Sequence, residues 1–95
     1  MNVTDPIRDH ASSAPDALAV IDSRHGTVGY RVFDRTIDTV ARRFAAKDIG
    51  PGDLVVVPPI DEYADLLIRL ALARIGAAAA NANLPPSRAK AVVAS

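Results

Sequence analysis

The side chains with the most distinctive chemistry in this chain are two histidines and five serines. His10 and His25 are the only histidines, and neither has a second histidine or a glutamate at the spacing that metal ligands use. None of the serines lies in a Gly-x-Ser-x-Gly turn, which presents a nucleophile in hydrolases. A serine nucleophile also needs a base and an orienting acid. We therefore expect both histidines to have ordinary surface roles and assign no nucleophile.

Glycine-rich turns are the next candidates, because phosphate-binding loops use several glycine N–H groups and usually a lysine. Gly50-Pro51-Gly52 contains no lysine and loses one N–H donor to its proline. The pair Gly26 and Gly29 has no lysine between or beside its members. Both segments are typical of turns rather than of phosphate sites.

Acidic residues cluster at Asp61-Glu62 and Asp65. At helical spacing these carboxylates are explained by a helix cap and a solvated stripe, which is favourable at a helix N-terminus. Arg74 lies opposite this stripe, and we expect it to reach solvent and the terminal carbonyls of the same helix. Asp22-Ser23 resembles the attachment site of a carrier protein, but it follows a β-prone run and is better explained as a turn. The sequence predicts no catalytic, cofactor-binding or metal-binding residue.

Composition limits the classes of function. The chain has 95 residues, 49% of them hydrophobic, with eleven basic and eleven acidic residues, 4% aromatics and no cysteine. One domain with a packed core is expected. Zero formal net charge and few aromatics argue against binding of nucleic acid. No stretch is long and apolar enough to span a bilayer, and no signal peptide is visible, so we expect a cytoplasmic protein.

The first third of the chain predicts a short helix and a hairpin. Asp5 is a helix N-cap candidate followed by Pro6 at the first helical position, and the helix should end near residue 13 because Pro15 excludes it. Two β-prone runs, 17–21 and 27–30, flank a polar turn that contains a glycine. They are predicted to form a β-hairpin.

The clearest helical pattern lies at 31–47. The apolar side chains that share one face there are Phe33, Ile37, Val40, Ala41 and Phe44. On the opposite face, arginines alternate with Asp34 and Asp38, and these charges are expected largely to cancel. Gly50 is the predicted C′ residue. The apolar face should pack on residues 54–57, an apolar run that is typical of a parallel strand buried on both faces.

The remainder predicts a parallel crossover. Asp61 should cap a helix at 62–75 that is apolar over most of its circumference and is closed by Gly76. Residues 77–80 are predicted as a strand, 84–87 as a loop and 88–95 as a last helix. Strand, helix and strand from 54 to 80 should form a right-handed unit. The predicted fold is a small α/β unit with an N-terminal helix, a β-hairpin and a parallel β-α-β crossover.

Several short segments carry a family pattern when they are taken in order. They are Ala14-Pro15-Asp16-Ala17-Leu18-Ala19-Val20, Thr27-Val28-Gly29-Tyr30-Arg31, Ile49-Gly50-Pro51-Gly52-Asp53-Leu54-Val55, Leu70-Ala71-Leu72-Ala73-Arg74-Ile75-Gly76-Ala77 and Asn83-Leu84-Pro85. This series resembles the N-terminal edge of the adenylate-forming (AMP-binding) enzymes over nearly the whole chain. The second segment departs from the family's Leu-Thr-Tyr-x-Glu-Leu, because Gly29 intervenes and the glutamate is absent. The ending Arg74-Ile75-Gly76 is most similar to acyl-CoA synthetases.

The resemblance implies that residues 1–95 are a single partial domain, the N-terminal segment of an AMP-binding domain. The family's phosphate loop, adenine-binding strand, ribose-binding aspartate and catalytic lysine come later in the chain, and none maps onto this sequence. Some relatives bind the phosphates of coenzyme A with an arginine after Asn-Pro. Here Pro85 or Pro86 stands at that place, and the nearby Arg88 does not match, so no such role is transferred.

Two functions follow as expectations. In the first, the chain is the N-terminal scaffold of an acyl-CoA synthetase-like ligase. The full-length enzyme would use ATP, Mg²⁺ and coenzyme A, while this chain alone would be inactive. In the second, it is a non-catalytic α/β interaction module or a subunit of a split adenylating enzyme. Both imply that an apolar face contacts the remainder of the ligase or a partner subunit, or mediates self-association. The acyl substrate and the acceptor are left open by the sequence.

Overall fold

The structure, a computed structural model, describes residues 2–24, 26–58, 60–80 and 91–92. Three α-helices accompany an antiparallel hairpin and a three-stranded parallel sheet in this part of the chain. The predicted α/β fold class is confirmed. His25, the loop predicted at 84–87 and the Asn83-Leu84-Pro85 segment lie outside the described residues. None of the described helices has the length and hydropathy needed to cross a membrane.

Helix α1 (Asp5–Ser13) ends before Pro15, as the proline requires. Its N-cap is Thr4, so the assignment of that position to Asp5 was wrong by one residue. Thr4 makes no side-chain capping bond to the helix. Asp5 lies in the first turn instead, where its Oδ2 accepts a hydrogen bond from the backbone N–H of Asn2 at 2.9 Å.

The hairpin consists of β1 (Leu18–Asp22) and β2 (Gly26–Gly29), which pair antiparallel as predicted. Helix α2 (Tyr30–Ala46) follows β2 directly. Backbone N–H groups of Tyr30 and Arg31 donate to the carbonyl oxygens of Ala17 and Pro15 at 3.0 and 3.1 Å. These two bonds fix the start of α2 against the segment that leads into the hairpin.

Helix α2 ends at a left-handed residue that the sequence did not reveal. Asp48 has φ +65°. The N–H groups of Asp48 and Ile49 donate to the carbonyls of Ala45 and Phe44, and these are the two hydrogen bonds of a Schellman motif. Gly50 was predicted as this C′ residue, and that prediction was wrong. Aspartate tolerates the left-handed region better than most residues, so the C′ position falls at Asp48, two residues before the glycine.

Helix α3 (Glu62–Arg74) begins and ends as the sequence predicts. The Asp61 carboxylate accepts the Ala64 N–H at 3.0 Å, which is an N-cap bond. At the other end Gly76 has φ +78°, and the N–H groups of Gly76 and Ala77 donate to Ala73 and Leu72. A left-handed glycine thus closes a second Schellman motif.

The parallel sheet has the order β4-β3-β5, with β3 (Leu54–Val56) between β4 (Ala78–Ala80) and β5 (Ala91–Val92). Both neighbours run parallel to β3, with Val55 opposite Ala79 and Ala91. The helix predicted at 88–95 was wrong at 91–92, where the free edge of β3 supplies backbone partners that override helix propensity. The rest of that predicted helix is outside the described residues.

Two apolar clusters form the core. One joins Phe33, Ile37 and Ala41 of α2 to Leu67 and Ala71 of α3 and to Val28 of the hairpin. The second surrounds β3 and contains Ile49, Val55, Val57, Leu72 and Ala77. We predicted that α2 would pack on the strand, but its fully buried residues contact α3 and the hairpin. Of the predicted face only Phe44, which is half-buried, also packs against the strand cluster.

Candidate functional site

An apolar groove lies on the surface of the described residues. It lies between α2, α3 and the sheet and has a volume of about 570 Å³. Val40, Phe44 and Ile49 line one side, Leu67, Ile68 and Ala64 the other, and Val55 and Ala91 of the sheet complete it. Arg43 and Lys47 also border the groove and are exposed. We refer to it as the interhelical groove.

The groove forms because several apolar side chains of α2 and α3 are only partly buried on this side. Val40 and Phe44 follow Ile37 at helical spacing, but they are only half-buried, whereas Ile37 is inaccessible to solvent. Ile68 of α3 is half-buried on the facing side. The sequence indicated that α3 is apolar on more than one side. The structure shows that one of those sides borders this groove.

Arg74 occupies a different place from the one the sequence suggested. Its side chain is 7% exposed, and Nη2 lies 2.6 Å from Oδ1 of Asp34 on α2. Its Nε donates to Thr4 Oγ1 at 3.1 Å, and Nη1 donates to the Asp34 carbonyl at 3.2 Å. Arg74 therefore does not extend to solvent or to the carbonyls of its own helix. It joins three helices, because a buried cation requires a specific partner.

Asn2 completes this network at the C-terminus of α3. Its Nδ2 donates to the carbonyl oxygens of Ala73 and Arg74 at 2.8 and 3.3 Å. Its Oδ1 accepts from the N–H and the hydroxyl of Thr4 at 2.9 and 2.7 Å. The N-terminal segment thus satisfies carbonyls that the end of a helix leaves without partners. The sequence held no signal for this, because the partners are about seventy residues apart.

In the turn at Gly50-Pro51-Gly52, the glycine N–H groups that could bind a phosphate already have partners. The Gly50 N–H donates to Asp53 Oδ2 at 2.8 Å, and the Gly52 N–H donates to the Gly76 carbonyl at 3.0 Å. Both donors are therefore used, and the Asp53 carboxylate adds negative charge where an anion would have to approach. Gly52 has φ +82°, which fits position i+2 of a Pro-Gly turn.

The polar residues considered in the sequence have structural partners. His10 Nδ1 lies 2.9 Å from the Pro6 carbonyl oxygen, and its ring stacks on Tyr30 with centroids 4.9 Å apart. Asp65 pairs with Arg69 at 2.8 Å, four residues further along α3. Within 2–24, 26–58, 60–80 and 91–92, no three His, Cys, Asp or Glu side chains converge as metal ligands would.

The side chain of Tyr63 has a pKa that burial shifts. Burial raises the pKa of Tyr63 above its ordinary value of 10.0, and the negative charge of Asp22 raises this pKa further. Tyr63 lies in the first turn of α3, and its ring centroid is 6.4 Å from that of Phe33. The phenol is therefore uncharged at neutral pH, and its ring lies beside Phe33 of α2.

No family model and no curated protein sequence matches the chain, but solved structures do. The structure of VinN with L-aspartate matches with a TM-score of 0.74 and 19% identity, over 90% of this chain and 24% of VinN. The N-terminal subdomain of Klebsiella oxytoca NpsA, in complex with 3-hydroxyanthranilyl-AMSN, gives 0.76 and 23%, over 86% and 21%. E. coli MenE with a bound analogue of OSB-AMS gives 0.72 and 24%, over 86% and 19%.

These matches are to adenylation domains, and they confirm that the chain has the fold of an N-terminal part of an adenylate-forming enzyme. At these identities the likeness concerns the fold. The chain spans between about a fifth and a quarter of the length of the three structures it matches.

Proposed function

We propose that residues 1–95 are a partial domain that serves as the N-terminal scaffold of an acyl-CoA synthetase-like ligase. In that ligase a carboxylate oxygen attacks the α-phosphorus of ATP, pyrophosphate leaves, and an acyl-adenylate forms. The sulfur of coenzyme A then attacks the acyl carbonyl, and AMP leaves. The cytoplasm is the expected compartment, because ATP and coenzyme A are both available there.

The interhelical groove is the observation that most favours a scaffold. Its walls are mainly apolar and its volume is about 570 Å³, so water must solvate apolar walls as long as nothing fills it. We infer that the remainder of the ligase covers it in the full-length enzyme. The adenylation-domain fold and the family pattern ending in Arg74-Ile75-Gly76 support the same proposal.

The Gly50-Pro51-Gly52 turn does not suit the nucleotide and its Mg²⁺. ATP binding requires convergent N–H donors and a basic side chain that contacts its phosphates. At Gly50-Pro51-Gly52 the donors are already used and Asp53 is adjacent. We therefore propose that ATP, Mg²⁺ and coenzyme A are bound by later segments, and that this chain supplies no catalytic residue.

In this proposal the chain contributes to catalysis as a rigid structural framework. Alignment of a carboxylate with the α-phosphorus in a water-poor cleft depends on a rigid framework. The Arg74–Asp34 pair joins α2 to α3, and the hydrogen bond from the Gly52 N–H to the Gly76 carbonyl joins the turn before β3 to the end of α3. The chain would hold later segments in register without touching the substrate.

Pyrophosphate exchange with a panel of carboxylates tests the proposal. We expect no exchange by the 95-residue chain, and no micromolar binding of Mg·ATP in calorimetry. Expression of the reading frame that continues beyond Ser95 should restore exchange. Turnover by the 95-residue chain, or micromolar ATP binding that a substitution within it abolishes, would reveal a site that the scaffold proposal excludes.

The reading frame downstream of Ser95 separates the two expectations drawn from the sequence. A frame that continues into a Ser/Thr/Gly-rich stretch with a lysine supports the single-chain ligase. A stop codon at that point contradicts it and favours the split subunit or interaction module. In that case, exchange after mixing with a separately encoded partner would identify a split adenylating enzyme.

A further inference from the structure

A second cleft, between α1 and α2, has a pronounced excess of positive charge. Its volume is about 420 Å³, and four arginines line it: Arg8 of α1 and Arg31, Arg35 and Arg42 of α2. Its acidic lining residues are Asp34 and Asp38. We refer to it as the arginine cleft. The excess is local, because the formal net charge of the whole chain is zero.

The buried network makes this excess larger than the sequence indicated. We expected Asp34 and Asp38 to cancel the arginines of α2, but Asp34 is paired with Arg74, which comes from α3. Asp38 is shared among Arg42 at 2.9 Å, Arg8 at 3.8 Å and Arg74 at 4.0 Å. Arg31 and Arg35 are left without a carboxylate at ion-pairing distance among the residues that the structure describes. The predicted cancellation is therefore wrong at this surface.

The position of Arg31 is independently unfavourable without an anion. It lies in the first turn of α2, and no acidic residue lies in that turn. The positive end of the helix dipole disfavours a cation there. A negatively charged partner in the cleft would remove this cost and pair with both free guanidinium groups.

The spread of the arginines favours an extended partner over a small anion. Arg31, Arg35 and Arg42 span twelve residues of helix, or roughly 16 Å, which is more than one phosphate group can bridge. Arg8 and Arg42 are 56% and 81% exposed, and isolated ion pairs at such exposure contribute little. A segment with several carboxylates can contact several guanidinium groups at once, and guanidinium binds carboxylate with two hydrogen bonds.

We propose that the arginine cleft binds an acidic segment of a partner protein. This inference does not depend on the proposed ligase function, because binding can be measured without catalysis. Poly-L-glutamate is the probe, and the 95-residue chain is the protein. We expect saturable binding at about 20 mM salt that weakens at least tenfold at about 200 mM, because salt screens exposed charges.

Charge-reversal variants test whether poly-L-glutamate binds in the arginine cleft. The double variant Arg31→Glu/Arg35→Glu should weaken binding at least tenfold, since two attractive contacts become repulsive. The matched control is Arg24→Glu/Arg69→Glu, which changes the net charge equally at exposed arginines outside both the cleft and the interhelical groove and should alter binding less than threefold. Circular dichroism checks the fold of each variant, and Arg31→Gln/Arg35→Gln, with no repulsion, should weaken binding severalfold.

Three outcomes would overturn the proposal. Equal loss in the control pair would mean that net charge alone determines binding. Competition by pyrophosphate at a concentration comparable to that of glutamate residues would identify a small-anion site. Tighter binding of single-stranded DNA than of poly-L-glutamate, with the same sensitivity to Arg31→Glu/Arg35→Glu, would identify a nucleic-acid surface. Loss of poly-L-glutamate binding confined to the cleft variants would support it.

Discussion

At the scale of single residues, Arg74 connects parts of the chain that are far apart in sequence. Its guanidinium is 7% exposed and contacts Asp34 and Thr4 from two other helices. The sequence showed a charge on an apolar side of α3, but it could not show which carboxylate lies beside it. Asp34 is forty residues away, and only the packing of α2 on α3 brings them together. The local pattern therefore predicted a solvent-exposed Arg74, whereas the tertiary contact with Asp34 keeps its side chain buried.

Replacing Arg74 should be costly. Arg74→Met retains most of the side-chain volume but leaves the Asp34 carboxylate without its partner, and we expect a loss of about 3 kcal/mol in unfolding free energy. Urea unfolding measures it. Arg69→Met is the matched control, because Arg69 pairs with Asp65 at the surface of α3 and such pairs contribute less than about 1 kcal/mol. Adding Asp34→Asn should recover part of the loss.

An equal, small effect of Arg74→Met and Arg69→Met would contradict a structural role for the buried pair. The Asp34→Asn addition makes the test specific. If it recovered nothing, the loss would have to come from packing of the arginine stem rather than from an unpaired carboxylate.

Tyr63 should give the chain a pH dependence in the alkaline range. Burial and Asp22 raise the pKa of its phenol above 10.0, so the folded state holds the proton to higher pH than the unfolded state does. Stability from this group is complete below the unfolded pKa and falls as pH rises toward the folded value. Ultraviolet titration should show that Tyr63 ionises above pH 10.0. Tyr63→Phe should remove that step and reduce the decline in unfolding free energy as the pH rises above 10.0; an unchanged titration would refute the shift.

At the scale of secondary-structure elements, the sequence predicted the features that depend on local residue types. It failed where contacts between residues far apart in sequence determine the structure. The Asp61 cap, the Gly76 terminus, the hairpin and the order of elements through β4 were all visible in residue types and spacing. The strand at Ala91–Val92 was not, because short alanine- and valine-containing segments take the state that their neighbours offer. Pairing with the edge of β3 determined it.

The corrected packing of α2 leads to a prediction for that helix. Ile37 is fully buried between α3 and the hairpin, whereas Val32 on the same helix is 56% exposed. Ile37→Ala should cost about 2–5 kcal/mol, and Val32→Ala should change stability by less than roughly 0.5 kcal/mol. Equilibrium unfolding of the two variants checks the facing of α2. Similar costs for both would mean that another face is buried.

Phe44 tests the junction between the two core clusters. It is half-buried and packs against both. Phe44→Ala should cost about 3 kcal/mol, the low end for a phenylalanine deletion, because part of the ring already faces the groove. Unfolding that is unchanged in this variant would show that the ring does not link the strand cluster to the helices.

At the scale of the whole molecule, composition predicted the class of fold but not where the apolar groove and the arginine cleft lie. Net charge and hydrophobic content excluded several classes of partner, and the breadth of the apolar face on α3 predicted that something covers it. The position of the groove depends on the angle between α2, α3 and the sheet, which no spacing in the sequence encodes. The same is true of the arginine cleft, whose charge depends on a residue from a third helix.

The interhelical groove should make the isolated 95-residue chain self-associate. Its walls are apolar, and Leu66, Ile21 and Val32 add exposed apolar area elsewhere, at 39%, 75% and 56%. Burying such surface between copies is favourable by about 25 cal/mol per Å². We expect sedimentation to show association that increases with concentration, together with binding of a hydrophobic dye. Clean monomeric behaviour without dye binding would contradict an uncovered apolar face.

A lysine placed in the groove tests whether this face is responsible. Ala64 lines the groove and is half-buried, so Ala64→Lys introduces a charge that the docked face would have to desolvate. It removes no large side chain, and the nearby Asp61 and Asp65 are of opposite charge. Leu66→Lys is the matched control on the same helix, outside the groove lining. Association should weaken at least tenfold in Ala64→Lys and persist in Leu66→Lys. The reverse order would place the associating surface on the outer side of α3 and leave the groove without a partner-binding role.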